Sequence, residues 1–327
     1  MKTLNITKIR DFNIEPTRTE RPDYVFAASG LVKLGDTIYV VADDELHLAE
    51  FDLKDLQKPG KWFRLLPGEL PLQYKPRKKI KPDLEALTYL KPYQYAPYGA
   101  LLAVPSMSRE NRVEGVLLVL DKNLKISGEP LPVDFSLLQK HLAVQFSGLN
   151  IEGITVNKET ARLYQRGNRK QGQNALIDFK AKDFLRDLHD THCPDPEKIF
   201  CVKEFDVGKI EEQVLGFTDA ICLDEENILF LAAAEDTDDA YQDGKCFGSA
   251  IGLMNANGTI KGLLEIEGKQ KFEGLCLKAQ NKNMLEIFLT IDTDDEKKPS
   301  ALYMASLNLK DFETRESALP FASETFV

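Results

Sequence analysis

Apolar residues in this chain fall in short runs separated by polar turns, and one of the runs recurs. Its copies read DLEALTYL at Asp83–Leu90, NIEGITV at Asn150–Val156, FTDAICL at Phe217–Leu223 and FEGLCL at Phe272–Leu277. A degenerate copy, ASGLVKL, occupies Ala28–Leu34, with Ser29 where the others carry an acid. The steps from Ser29 to Glu85, Glu152, Asp219 and Glu273 are 56, 67, 67 and 54 residues. Self-similarity at such a period marks a repeat architecture, and it places one oxygen-bearing side chain at a matching point of every repeat.

A second apolar run follows each copy: Asp36–Ala42, Ala100–Val104, Ala161–Gln165, Asn227–Ala233 and Leu285–Ile291. These runs are short, aliphatic or β-branched and bounded by turn residues, which predicts buried strands. Third strands are predicted over Leu46–Leu53, Gly115–Asp121, Asn174–Phe179, Ser249–Asn255 and Ala301–Leu309. Fourth strands are predicted over Lys61–Leu66, Lys125–Leu131, Lys198–Phe205 and Ile260–Ile266, the last after an Asn257-Gly258 hairpin turn. The fifth repeat lacks a fourth strand, and Leu4–Phe12 lacks a partner. The pattern therefore predicts an all-β, five-bladed β-propeller closed by the N-terminal strand. A six-bladed ring, or closure by the tail Phe312–Val327, is the alternative. One domain spans residues 1–327, with a short helical insertion near 180–197 that begins at Lys180–Asp190.

Composition narrows the function without naming it. A net charge of −10 argues against a general nucleic-acid binder or a protein held on an anionic membrane. No apolar leader opens the sequence, no run is long enough to span a bilayer, and the five cysteines are scattered without a CxxC. These features predict a cytoplasmic protein with reduced thiols. His189, His192 and Cys193 lie close together, but no second Cys/His pair completes a zinc site. There is no G-x-S-x-G, GxGxxG or Walker A string.

In a propeller the start of each inner strand and the loop between the second and third strands share one face. That face then gathers Glu85, Glu152, Asp219 and Glu273, and with them loops rich in charge. Carboxylates converging on one axis repel, and a hard divalent cation, Ca2+ before Mg2+, is one remedy. Arg109, Arg112, Arg166, Asn168 and Arg169 in the loops, with Ser29, are candidates to hold a small anionic ester such as a phosphoester or lactone. Glu235 and Asp236 are candidates to shuttle protons in a metal-assisted hydrolysis. The competing expectations are a non-enzymatic propeller that binds a ligand or a protein, its channel carboxylates serving only to knit the ring, and a sugar- or nucleotide-recognition protein without metal.

DLEAL, SMSRENR, NIEGITV with QRGNRKQGQNALI, FTDAICL with AAAEDTDDAYQDG, and FEGLCL together resemble a family of uncharacterised bacterial β-propeller proteins, similar in style to phytase-like and esterase-like propellers. The resemblance covers about Ser29 to Leu309. It implies calcium held by acids around the channel, at positions matching Glu85, Glu152, Asp219 and Glu273. Ser29 and Ala86 depart from the repeat.

Overall fold

The structure, a computed structural model, describes residues 1–16, 21–167, 173–236, 245–293 and 295–312. Five antiparallel sheets form a five-bladed β-propeller. From the axis outward, blade 1 is Ala28–Leu34, Thr37–Ala42, His47–Asp52 and Lys61–Arg64. Blade 2 is Leu84–Leu90, Ala100–Pro105, Glu114–Val119 and Leu131–Asp134; blade 3 is Ile151–Val156, Thr160–Gln165, Ala175–Lys180 and Ile199–Glu204. Blade 4 is Gln213–Cys222, Asn227–Asp236, Lys245–Asn255 and Ile260–Ile266, extended by the short strand Lys209–Ile210. Blade 5 is Phe272–Asn281, Met284–Ile291 and Ala301–Asn308, and the N-terminal strand Thr7–Asp11 completes it.

The N-terminus does more than close the ring. Lys2–Leu4 pairs in parallel with Leu264–Ile266 on the outer edge of blade 4, before the chain crosses to blade 5. It therefore straps two blades together at the ring's closure. One expected strand is displaced: the outer strand of blade 2 is Leu131–Asp134, not Lys125–Leu131. Asp121 accepts the Asn123 and Lys125 N–H groups in a tight turn. Gly128 then adopts φ 86°, which breaks the run before it can pair.

Three helices are present among the described residues: α1 over Tyr74–Ile80, α2 over Ser136–Gln145 and α3 over Ala181–Asp190. Only α3 was legible as an insertion. No helix among these residues is long and apolar enough to cross a membrane.

The core is divided as the architecture requires. Five apolar clusters fill the five gaps between neighbouring blades. The second strand of each blade is flanked by sheets on both faces, so Thr37–Ala42 and Ala100–Pro105 are buried at every residue.

The recurring motif has a physical reason. Pairing with the second strand skips Glu85, Glu152 and Glu273, so each sits in a β-bulge. A bulge re-aims its side chain, here toward the axis. The next residue is small because the neighbouring inner strand passes against it. A Cβ on Gly30 would lie 2.4 Å from the Leu87 backbone nitrogen, and one on Gly274 would lie 2.2 Å from the Ser29 carbonyl oxygen. Blade 4 departs from this register. Its bulged residue is Thr218, and Asp219 takes the place that glycine or alanine holds elsewhere. The ring is thus Ser29, Glu85, Glu152, Thr218 and Glu273.

Because the obstacle at Gly274 is backbone, Gly274→Ala is expected to cost about 1–3 kcal/mol through overpacking of two blades. A lower urea midpoint at unchanged slope reports that loss. An unaltered midpoint would refute the close-approach account.

Candidate functional site

The bulged acids lie at the channel mouth, and alternation along the entering chain brings their neighbours with them. Residues i and i+2 of an extended segment point the same way. Lys81, Asp83 and Glu85 therefore share a side, as do Lys271 and Glu273. From the facing loops come Asp43, Arg112, Arg166 and Glu235.

On the side of blades 3 and 4 each acid meets a cation or backbone donors. Arg166 donates to Glu152 Oε1 at 3.2 Å and to Glu235 Oε2, and lies 3.8 Å from Glu273 Oε1. Asn150 also donates to Glu152, at 2.5 Å. Lys271 bridges Glu273 Oε1 at 2.5 Å and Glu235 Oε1 at 3.5 Å. Asp219 accepts the backbone N–H groups of Ala220 and Leu275, both at 2.7 Å. Thr218 donates to the Phe272 carbonyl at 2.8 Å. Burial holds Glu152 well above the usual carboxylate range against the pull of Arg166, and it raises Asp219 despite the two backbone donors.

A second network joins blades 1 and 2. Asp83 accepts from Arg112 at 2.7 Å, from Lys81 at 2.8 Å and from Ser106 and Ser108. Lys81 also holds Asp43. Burial opposes ionisation of Asp83, but Lys81 and Arg112 win and keep it below its ordinary value.

Helix α1 lies between the loops of blades 1, 2 and 5. Its Arg77 is fully buried, donating to Asp44 at 2.8 Å, to Glu296 at 2.6 Å and to the Leu72 carbonyl at 2.6 Å. Arg112 and Asn111 donate to the carbonyls of Lys78 and Lys79 in the same helix. Burial and Glu45 push Asp44 up to about 6 although Arg21 and Arg77 flank it.

Two carboxyl groups remain open. Glu85 has no hydrogen bond or ion pair among the described residues, and burial, then Asp83, push it up to about 8. Glu273 spends Oε1 on Lys271, but Oε2 is buried without a partner. The two stand on blades 2 and 5, flanking blade 1, where the ring residue is the short Ser29. The mouth therefore has a closed arc over blades 3 and 4 and an open arc over blades 5, 1 and 2.

The remaining expected residues divide plainly. Arg112 and Arg166 reach the mouth, but as partners of acids. Glu235 is there too, with both oxygens engaged; Asp236, its neighbour on the strand, is exposed. Arg109 is half-buried in the rim turn, where its carbonyl accepts from the Arg112 N–H. Asn168 and Arg169 lie outside the described residues. His189 stacks on Tyr95 at 3.8 Å, and the His192 ring meets the Leu188 carbonyl; neither touches the mouth cluster. Lys81, Asp83, Asp43, Lys271 and Arg77 were not anticipated. For the first two and Lys271, the alternation K-x-D-x-E and K-x-E was the available signal.

The residues present do not fit a four-acid calcium cage. Asp219 gives both oxygens to backbone donors, and Glu152 is bound by Arg166 and Asn150. Among the described residues, the open acceptors of the ring acids are those of Glu85, Glu273 Oε2 and Glu152 Oε2, short of the ~6–8 oxygens calcium takes. Asp43, Asp83 and Glu85 bring oxygens within 4.8 Å of one another, but the Lys81 ammonium already occupies two of them.

The profile of a family of unknown function (DUF6929) matches residues 24–307, and the chain belongs to that family. No curated protein matches the sequence. Among solved structures, the chain is similar to an α-L-arabinofuranosidase of Podospora anserina determined with cellotriose. Identity there is 9%, coverage 94% of this chain and 97% of that one, and the TM-score 0.55. It also aligns with an α-L-arabinofuranosidase (GH93) of Fusarium graminearum at 13% identity, covering 93% and 99%, with a TM-score of 0.44. The first likeness is one of fold.

Two outcomes follow from the charge network. Arg166→Met removes the guanidinium shared by Glu152 and Glu235, so stability at neutral pH is expected to fall by about 3–5 kcal/mol. The deficit shrinks in acid as the stranded carboxylates take up protons; chemical denaturation at several pH values measures it. Glu85 has a folded pKa of about 8, above the ordinary 4.5. Its contribution to stability is complete below the lower value and is lost as pH rises through the upper one. Melting temperature should therefore decline across that window in the wild type and decline less in Glu85→Gln. Parallel curves for the two proteins would show that Glu85 is not protonated in the fold.

Proposed function

We propose that the open arc is the ligand site of a carboxyl-dependent hydrolase of a small polar ester or glycoside. The observation that carries this reading is the Glu85 carboxyl: partnerless, at the mouth, and neutral near pH 7, opposite a Glu273 that Lys271 holds as an acceptor. A carboxyl group that burial keeps protonated, beside a second carboxyl group with an open oxygen, is the equipment of acid–base catalysis. Glu85 gives its proton to the leaving oxygen as the C–O bond breaks. Water adds to the carbon and yields its proton to Glu273 Oε2. Return of that proton to Glu85 resets the pair.

The roles first expected of Glu235 and Asp236 pass to these residues, because Glu235 is consumed by Arg166 and Lys271 and Asp236 faces solvent. An anionic ester is disfavoured, since the guanidinium groups of Arg112 and Arg166 are spent on acids. No step is routed through a divalent cation.

Chromogenic esters, lactones and glycosides offered to the purified protein test this reading. Turnover of at least one is expected, with an alkaline limb near the Glu85 value of about 8. Glu85→Gln should lower the rate by about 100-fold or more while the melting temperature near pH 5 holds. Activity equal to wild type in that variant, or no turnover of any substrate, would sink the hydrolase reading and leave a binding protein.

A further inference from the structure

The open arc also carries a pattern of recognition, and the inference drawn from it rests on the site just described. Glu273 is 4% exposed, and its Oε2 is buried without a donor. A buried acceptor left unmet destabilises the fold, and a ligand hydroxyl placed there relieves that cost. The β-bulge at Glu273 aims the carboxylate at the axis, and Glu85 and Glu152 both feel its charge. This is a buried, unanswered acceptor within the mouth, and it singles out the open arc from an ordinary gathering of acids.

Charge then selects the ligand. Lys81 is bound to Asp43 and Asp83, Arg112 to Asp83, Arg166 to Glu152 and Glu235, and Lys271 to Glu235 and Glu273. Among the described residues, an anion entering the mouth meets six carboxyl groups, those of Asp43, Asp83, Glu85, Glu152, Glu235 and Glu273, and these four cations are already engaged. A metal ion finds few open carboxyl oxygens and the Lys81 ammonium between Asp43 and Asp83. A neutral hydroxyl group suits every open atom. It donates to Glu273 Oε2, accepts from a protonated Glu85, and can do either with the Ser29 hydroxyl.

We propose that the ligand is a neutral polyol, a sugar or cyclitol with adjacent hydroxyl groups, seated over Ser29 between Glu85 and Glu273. Ser29 sets the room for it. Where a glutamate side chain would fill the arc from blade 1, the serine leaves the space to the ligand.

Calorimetry and thermal shift on the full chain test this with four probes: neutral pentoses and hexoses, myo-inositol, inositol hexakisphosphate, and calcium chloride. Saturable binding of at least one neutral probe is expected. Glu273→Gln should weaken it about tenfold, the loss of one charged hydrogen bond. Ser29→Tyr, which fills the gap, should abolish it. Glu85→Gln keeps a donor at the same point and should bind within about threefold of wild type even where turnover is lost. Binding without turnover in the wild type would end the hydrolase reading and leave this one standing. Silence from every neutral probe, saturable binding of the phosphate or of calcium alone, or neutral binding indifferent to both Glu273→Gln and Ser29→Tyr overturns it.

Discussion

Five inner strands converge on one axis, and whatever each strand presents there shares a confined, poorly solvated space with the other four. Steric and electrostatic consequences follow together. The backbones pass so close that the residue after the bulge is small in every blade but the fourth, as the clashes at Gly30 and Gly274 show. The bulge itself turns its side chain inward, so a polar residue at that point becomes a mouth residue whether or not it has a partner. Carboxylates placed there repel and lose hydration, which raises them unless partners win. The partners are uneven: cations win at Asp83, the Arg166 guanidinium and backbone N–H groups meet Glu152 and Asp219 without overcoming burial, Lys271 holds one oxygen of Glu273, and Glu85 has no donor.

These answers are distributed unevenly, and the unevenness organises the mouth. Arg166 lies between blades 3, 4 and 5 and binds or approaches three glutamates at once. A buried guanidinium that fully engaged resists motion, so the closed arc behaves as part of the scaffold. On the other side, Arg77 ties α1 to Asp44 of blade 1 and Glu296 of blade 5, and the Leu72 carbonyl just before the helix holds the same side chain. Between these two fixed points stand the groups that the fold leaves unanswered. Unmet polar atoms lower stability, and the nearby cations Lys81 and Lys271 are spent on other acids or on one oxygen alone. The persistence of unmet atoms in one arc is the kind of local cost that ligand sites carry.

Much of this frame could be read from the pattern of runs. The four copies and their degenerate fifth identified the blades, and the surplus strand at the N-terminus identified the closure. Other features depend on backbone geometry that residue types do not encode. FTDAICL aligns by composition with its acid under the glutamates, yet the bulge in blade 4 falls on Thr218, which moves Asp219 one place and turns it onto the backbone of blade 5. YKPRKKI looks like a solvated charge run, because nothing within it announces that Arg77 will meet Asp44 and Glu296, distant by 33 and 219 residues. The arginines Arg112 and Arg166 were visible as mouth residues, but their loops do not say whether they face a ligand or a neighbouring acid. The local alternation at Lys81-x-Asp83-x-Glu85 and Lys271-x-Glu273 does say so, since a two-residue step on extended backbone leaves the charges side by side.

The same alternation explains why the ring is not symmetric. Blades 2 and 5 each bring a lysine in with the acid, and blade 3 draws Arg166 from its own loop. Blade 1 enters through Phe26 and Ala27, both buried, and has no cation two residues before Ser29. A carboxylate at that position would stand between Glu85 and Glu273 with nothing to neutralise it. Backbone space is also short there, because Gly274 already presses on the Ser29 carbonyl. A small neutral hydroxyl is what electrostatics and packing both permit at blade 1. The opening that results, bounded by Glu85 and the unpartnered Oε2 of Glu273, is a consequence of how blade 1 enters the ring.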